Sequence, residues 1–134
     1  MDGTEIKAFE TTIDQAASAL VMMALATYQA IAPNDPAVFS SIIIDGHLRG
    51  DLGYDGVVIS DSMSAAAVSA YETTQLGVKL VEAGGDLACI GDTNYVVPIL
   101  DGLSTRAASD PAFANKVTQS AIRVMTLKIK MGLA

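Results

Sequence analysis

The sequence predicts an α/β chain with about three parallel strands flanked by helices. Two observations carry this. Segments with helical apolar spacing alternate with short, wholly apolar runs of strand length, such as Val57-Val58-Ile59. Strands that are apolar on both faces belong to parallel sheets covered by helices. The composition agrees: 51% of the 134 residues are hydrophobic, yet there is no Trp and only 5% are aromatic. The mean hydropathy of +0.40 therefore rests on small and aliphatic side chains, which suit tight helix–sheet packing.

The elements follow in order. Ile6, Phe9 and Ile13 recur at helical spacing and predict an amphipathic helix over about 4–16. The run "ALVMMA", Ala19 to Ala24, has the length of a strand. Pro33 and Pro36 make the next stretch a loop. Ser40 or Ser41 caps a helix carrying Ile43, Ile44, Leu48 and Leu52, which Gly53 ends. Val57 to Ser60 is the second strand. A third helix over about 73–83 stops at Gly84-Gly85, and "DLACI", Asp86 to Ile90, is the third strand. Val96, Ile99, Leu100 and Leu103 mark another helix. Asp110-Pro111 places an acid at N-cap and proline at N1 of a last helix, which runs to about Met131 and ends at Gly132. Neither a linker nor a low-complexity stretch interrupts residues 1–134, so one domain is expected. Helical crossovers between successive strands imply a right-handed parallel sheet.

Charge and cysteine usage narrow the function. Fifteen acids against eight bases give a net charge of -7, which argues against nucleic acid or an anionic membrane surface as partner. Apolar runs fall short of the ~20 residues that cross a bilayer, and the polar, acidic start is unlike a signal peptide. The single cysteine, Cys89, forms no internal disulfide and reads as a small buried hydrophobe in a cytoplasmic protein. One Cys and one His leave no basis for a zinc site, and neither a metal nor another cofactor is expected.

The candidate site lies where Val57–Ile59 runs out into Ser60-Asp61-Ser62. Sites of α/β proteins are built at the carboxyl ends of parallel strands. By position Asp61 is either a site carboxylate or a turn residue after a strand. Asp92, after the third strand, would reach the same sheet end, or would cap the next helix beside Asn94. Glu72 and Asp35 are loop carboxylates. His47 lies in a helix ahead of the second strand, at the wrong end for the site, and reads as a surface or packing residue.

"LRGDLGYDGVVISDSMS", Leu48 to Ser64, resembles the nucleophile segment of glycoside hydrolase family 3, and most closely its β-N-acetylhexosaminidase branch. That pattern reads L-R-x-x-L-G-[FY]-D-G-V-V-[IF]-S-D-D-L-S-M. "ALVMMALATYQAIAPNDPAVFS", "VEAGGDLACIGD" and "SAIRVMTLKIKMGL" are similar to flanking family segments, in order. The resemblance implies the last three β/α units of a TIM-like (β/α)8 barrel, hence a partial barrel. It implies a retaining glycosidase, of β-N-acetylglucosaminidase or β-glucosidase type, acting on a β-linked sugar or aryl glycoside, with Asp61 as nucleophile. Ser60, Ser62, Met63 and Tyr28 become candidate sugar contacts, and Asp92 a candidate acid/base.

Departures from the pattern are equally informative. The His-Asp pair that protonates the leaving group in this branch, and its Lys-His sugar grip, have no counterpart in this chain. The A-H of the family's sixth strand is Ala24-Leu25, and the second acid of S-D-D is Ser62. A carbohydrate-binding or assembly remnant, or a half-barrel fragment of a larger glycosidase, is therefore the alternative reading. Exposed sheet edges invite pairing, so a homo-oligomer is expected.

Overall fold

The structure is a computed structural model. It describes residues 3–16 and 20–134, with side chains at 7–14 and from 20 onward. Helix α1 spans Gly3–Ala16 and strand β1 Leu20–Met23. Ala19, the predicted start of β1, lies outside the described residues. Strand β2, Val57–Ser60, pairs with β1 in parallel, Leu20 opposite Val57 and Met23 opposite Ser60. The remaining helices are α2 (Thr73–Glu82), α3 (Val96–Ser109) and α4 (Pro111–Lys130).

The crossover from β1 to β2 holds a ten-residue π-helix, Ile42–Asp51, where an α-helix was predicted. Its wide turns show in the bonds Gly46 N–H to Ser41 C=O (2.9 Å) and Leu52 N–H to His47 C=O (3.0 Å). A β-branched run, Ile42-Ile43-Ile44, and two glycines within ten residues weaken the ordinary helical preference. Of the two candidate caps, Ser41 makes no side-chain bond, whereas the Ser40 hydroxyl accepts from Ile43 N–H at 3.4 Å. Gly53, at φ 65°, turns the chain toward β2 as predicted.

The third predicted strand is reduced to a single parallel bridge between Ile59 and Leu87. Its inner edge is bonded: Leu87 N–H donates to Val58 C=O at 3.0 Å and Ser60 N–H to Leu87 C=O at 2.9 Å. After Cys89 the chain bends away, so no longer ladder forms. Cys89 itself is exposed, contrary to the burial expected of it, because nothing among the described residues covers this edge.

The core lies between sheet and helices. Ile44, Val58, Met63, Leu76 and Leu80 are fully buried, and Ile99 of α3 nearly so. Burying each such side chain contributes about 1.5–3 kcal/mol. Helices α2 and α3 cross closely because Gly102 lies against the Thr74 carbonyl and has no side chain to collide with it. At the start of α4 the Asp110 carboxylate accepts from Ala112 N–H (3.0 Å) and Phe113 N–H (3.2 Å), with Pro111 next, as the sequence predicts. Among the described residues no helix is long and apolar enough to cross a membrane.

Candidate active site

Three chain segments converge beyond the carboxyl end of β2. Asp61 N–H donates to Met23 C=O at the end of β1 (3.1 Å), and Met63 N–H donates to Cys89 C=O (2.8 Å). The Ser60 hydroxyl accepts from Cys89 N–H (3.0 Å). The Asp61 backbone is thus tied to both neighbouring segments while its side chain is exposed. One carboxylate oxygen, Oδ1, accepts from Ser62 N–H at 2.7 Å. That bond orients the group and leaves Oδ2 free for another partner.

The other candidates divide. Ser62 Oγ lies 3.0 Å from Ser64 Oγ, half-buried beside Asp61. Gly91 approaches this pair so closely that a Cβ there would sit 3.0 Å from Ser64 Oγ. The loop carrying Asp92 therefore borders the loop carrying Asp61. Asp92 uses Oδ1 to accept Asn94 N–H at 2.9 Å, the capping arrangement, and is exposed. Ser60 and Met63 are 1% exposed. Both were candidate sugar contacts; burial instead makes Ser60 a tie to Cys89 and Met63 part of the core. Tyr28 is 43% exposed in a turn whose carbonyl accepts from Ile31 and Ala32 N–H, and no described contact joins it to Asp61. Glu72 is exposed ahead of α2, and His47 is an exposed π-helix residue paired with Asp51 at 2.7 Å.

Two clefts lie elsewhere among the described residues. A groove of about 540 Å³ runs between α2 and α3, and a hollow of about 110 Å³ lies beside Asp35. Neither includes Asp61, and the described residues hold no cluster able to bind a metal ion.

What sequence reasoning missed is the support beneath β2. The Asp86 carboxylate is wholly buried. Its Oδ2 accepts from Val58 N–H (2.9 Å) and Arg49 Nη2 (2.8 Å), and its Oδ1 from Arg123 Nε (2.9 Å) and Nη2 (2.8 Å). Arg49 also donates to the carbonyls of Tyr54, Gly56 and Gly84. One guanidinium thus gathers the turn before β2 and the turn after α2. Tyr54 folds its ring over Gly56 and donates its hydroxyl to Val57 C=O at 3.0 Å. The signal was present, since Arg49, Tyr54, Gly56 and Asp86 all stand within the segments already singled out.

Comparison with known proteins gives one consistent answer. The family profile described as glycosyl hydrolase family 3 N terminal domain matches residues 1–127. A β-hexosaminidase of Xanthomonas campestris is 33% identical over 115 residues, 85% of this chain and 34% of that protein. The crystal structure of a β-N-acetylhexosaminidase from Beutenbergia cavernae superposes with a TM-score of 0.89 at 37% identity, over 95% of this chain and 38% of the other. A family 3 β-N-acetylglucosaminidase from Paenibacillus gives a TM-score of 0.84 at 32% identity, over 93% of this chain and 24% of that one. The chain thus spans about a third of the curated relatives it matches. It belongs to glycosyl hydrolase family 3.

Proposed function

We propose that this chain is the nucleophile-bearing part of a β-N-acetylhexosaminidase-type glycosidase, corresponding to the last three β/α units of the family's barrel. The observation that supports it is the setting of Asp61: exposed at the carboxyl end of β2, with its backbone held by Met23 and one carboxylate oxygen held by Ser62. In a retaining mechanism Asp61 Oδ2 attacks the anomeric carbon. The bond from that carbon to the aglycone oxygen breaks, and its electron pair leaves with the aglycone. Water then attacks the same carbon and releases the carboxylate.

The aglycone oxygen must be protonated, unless it is already a good leaving group. Retaining chemistry places the two carboxyl groups only ~5–5.5 Å apart. Among the described residues Asp61 Oδ1 is bonded to Ser62 N–H, and Asp92 Oδ1 is engaged with Asn94 N–H. The proposal therefore assigns the proton to water, to Asp92 released from its cap, or to a neighbouring chain. Losing general acid catalysis costs roughly 10²–10⁴ in rate. Aryl glycosides with phenolate leaving groups are accordingly the preferred substrates.

One observation favours a second reading, a remnant that binds carbohydrate or only assembles: the Asp61 side chain is exposed, and neither the α2–α3 groove nor the hollow beside Asp35 includes it. A single assay separates the two. Hydrolysis of nitrophenyl N-acetylglucosaminide and nitrophenyl glucoside is measured for the wild type and for Asp61→Asn. Turnover by the wild type that disappears in the variant supports the glycosidase. Equal rates in both, or none in either, leave the remnant.

A further inference from the structure

We propose that Ser64 is a positioning residue for Asp61: its hydroxyl holds the Ser62 hydroxyl, and the pair, seated against Gly91, fixes the backbone N–H that aims the carboxylate. This rests on the proposed nucleophile role of Asp61 and adds what holds that side chain in line.

An exposed carboxylate turns about two side-chain bonds, whereas attack needs one oxygen aligned with a single carbon. Here one bond supplies the alignment, Ser62 N–H to Asp61 Oδ1 at 2.7 Å, and Oδ2 is left as the attacking atom. The direction of that N–H is only as fixed as Ser62 itself, and Ser62 is held in three ways. Its carbonyl accepts from Ala65 N–H at 3.1 Å. The next N–H, that of Met63, donates to Cys89 C=O at 2.8 Å. Its hydroxyl lies 3.0 Å from that of Ser64, one donating to the other. The first two are backbone bonds and persist when Ser62 or Ser64 is replaced. The third is the one that side chains decide.

Gly91 makes the third bond possible. A Cβ at this position would stand 3.0 Å from Ser64 Oγ and 3.3 Å from Ser62 Oγ, closer than ordinary contact. Among the described residues the glycines with positive φ are Gly53, Gly84 and Gly132, so at Gly91 the hydroxyl pair, and not the turn, calls for the missing side chain. Ser62 and Ser64 are half-buried, and water competes only in part for their bond. The sequence offered Ser62 as a sugar contact; the fold commits its hydroxyl to Ser64.

A fluorinated glycosyl fluoride of N-acetylglucosamine reads the nucleophile alone. Asp61 Oδ2 forms a bond to the anomeric carbon, the carbon–fluorine bond breaks, and fluoride leaves with the electron pair, so no acid is needed. Mass spectrometry gives the rate constant of adduct formation at saturation and the half-saturating concentration. Both are measured for the wild type, Ser62→Ala, Ser64→Ala, the double variant and Gly91→Ala. A misplacement of about 1 Å can cost about a hundredfold, and one neutral hydrogen bond is worth less than that. The rate constant should therefore fall about three- to tenfold in each single variant and no further in the double variant. The half-saturating concentration and the urea midpoint should stay unchanged. No adduct on the wild type overturns both this proposal and the nucleophile assignment. An adduct that forms on the wild type and equally fast on the variants overturns the positioning role alone. So does a raised half-saturating concentration at constant rate, which would make the hydroxyls sugar contacts. Losses that add in the double variant, or a slower rate that comes with a lower urea midpoint, overturn it too.

Discussion

Replacing Asp86 by alanine removes the one carboxylate that binds the π-helix, β2 and α4 together. Three groups lose their partner: Val58 N–H and the guanidiniums of Arg49 and Arg123. Removing one side of a buried ion pair costs about 3–5 kcal/mol. The two arginine side chains are 15% and 24% exposed, so water recovers part of that loss. Leaving Val58 N–H unsatisfied costs a further ~1–3 kcal/mol. A net destabilisation of about 3–4 kcal/mol follows, a large fraction of the 5–15 kcal/mol that holds a typical domain together. Urea unfolding followed by circular dichroism measures it. With a slope of about 1–3 kcal/mol per molar, the midpoint should fall by at least ~1 M with the slope unchanged. Asp86→Asn keeps an acceptor for Val58 N–H and should lose clearly less. A loss below ~1 kcal/mol for Asp86→Ala would refute the clamp, as would equal losses for Ala and Asn.

Four further outcomes are expected. Gly56→Ala would set a Cβ 2.5 Å from Tyr54 Oη and 2.6 Å from its Cζ, so thermal unfolding should show a loss of ~1–3 kcal/mol. Burial pushes the Tyr54 hydroxyl above the ordinary tyrosine range, with Arg49 opposing and Asp86 and Asp55 adding to the rise. The protonated form is favoured in the fold, so this contribution is complete below pH ~10 and is lost as pH climbs through the folded value. Urea midpoints measured from neutral to strongly alkaline pH should therefore decline above ~10 less steeply in Tyr54→Phe. Cys89 is exposed, and one thiol per chain should react with a disulfide reagent without denaturant, whereas a buried cysteine would react only after unfolding. Asp61→Asn should leave the unfolding free energy from urea titration within ~0.5 kcal/mol of wild type, because that side chain is exposed and bonded only to its neighbour.

Local signals in the sequence translated well. Asp110-Pro111 marked the start of α4 because an N-cap acid and an N1 proline act within one turn. Gly53 and Gly132 marked helix ends because both need positive φ, 65° and 70°. The second strand lies where its apolar run stands. Long-range effects were hidden. The third strand pairs with β2 through a single bridge before the chain leaves the sheet, and among the described residues nothing covers its other side. The same open edge exposes Cys89, which composition alone would bury. Asp86 read as the first residue of a strand, because nothing local indicates that Arg49 and Arg123, 37 residues away on either side, close upon it. At the site, the position of Asp61 was legible from the strand preceding it. The inward burial of Ser60 and Met63 was not, since it depends on how the 86–89 segment packs against β2.

The central claim is that Asp61 can bond covalently to a sugar carbon. Incubating the chain with a fluorinated glycosyl fluoride of N-acetylglucosamine, then mapping peptides by mass spectrometry, addresses it directly. The account predicts one glycosyl adduct per chain, on the peptide containing Asp61 and absent from Asp61→Asn. No adduct on the wild type, or an adduct that persists in the variant, would contradict it.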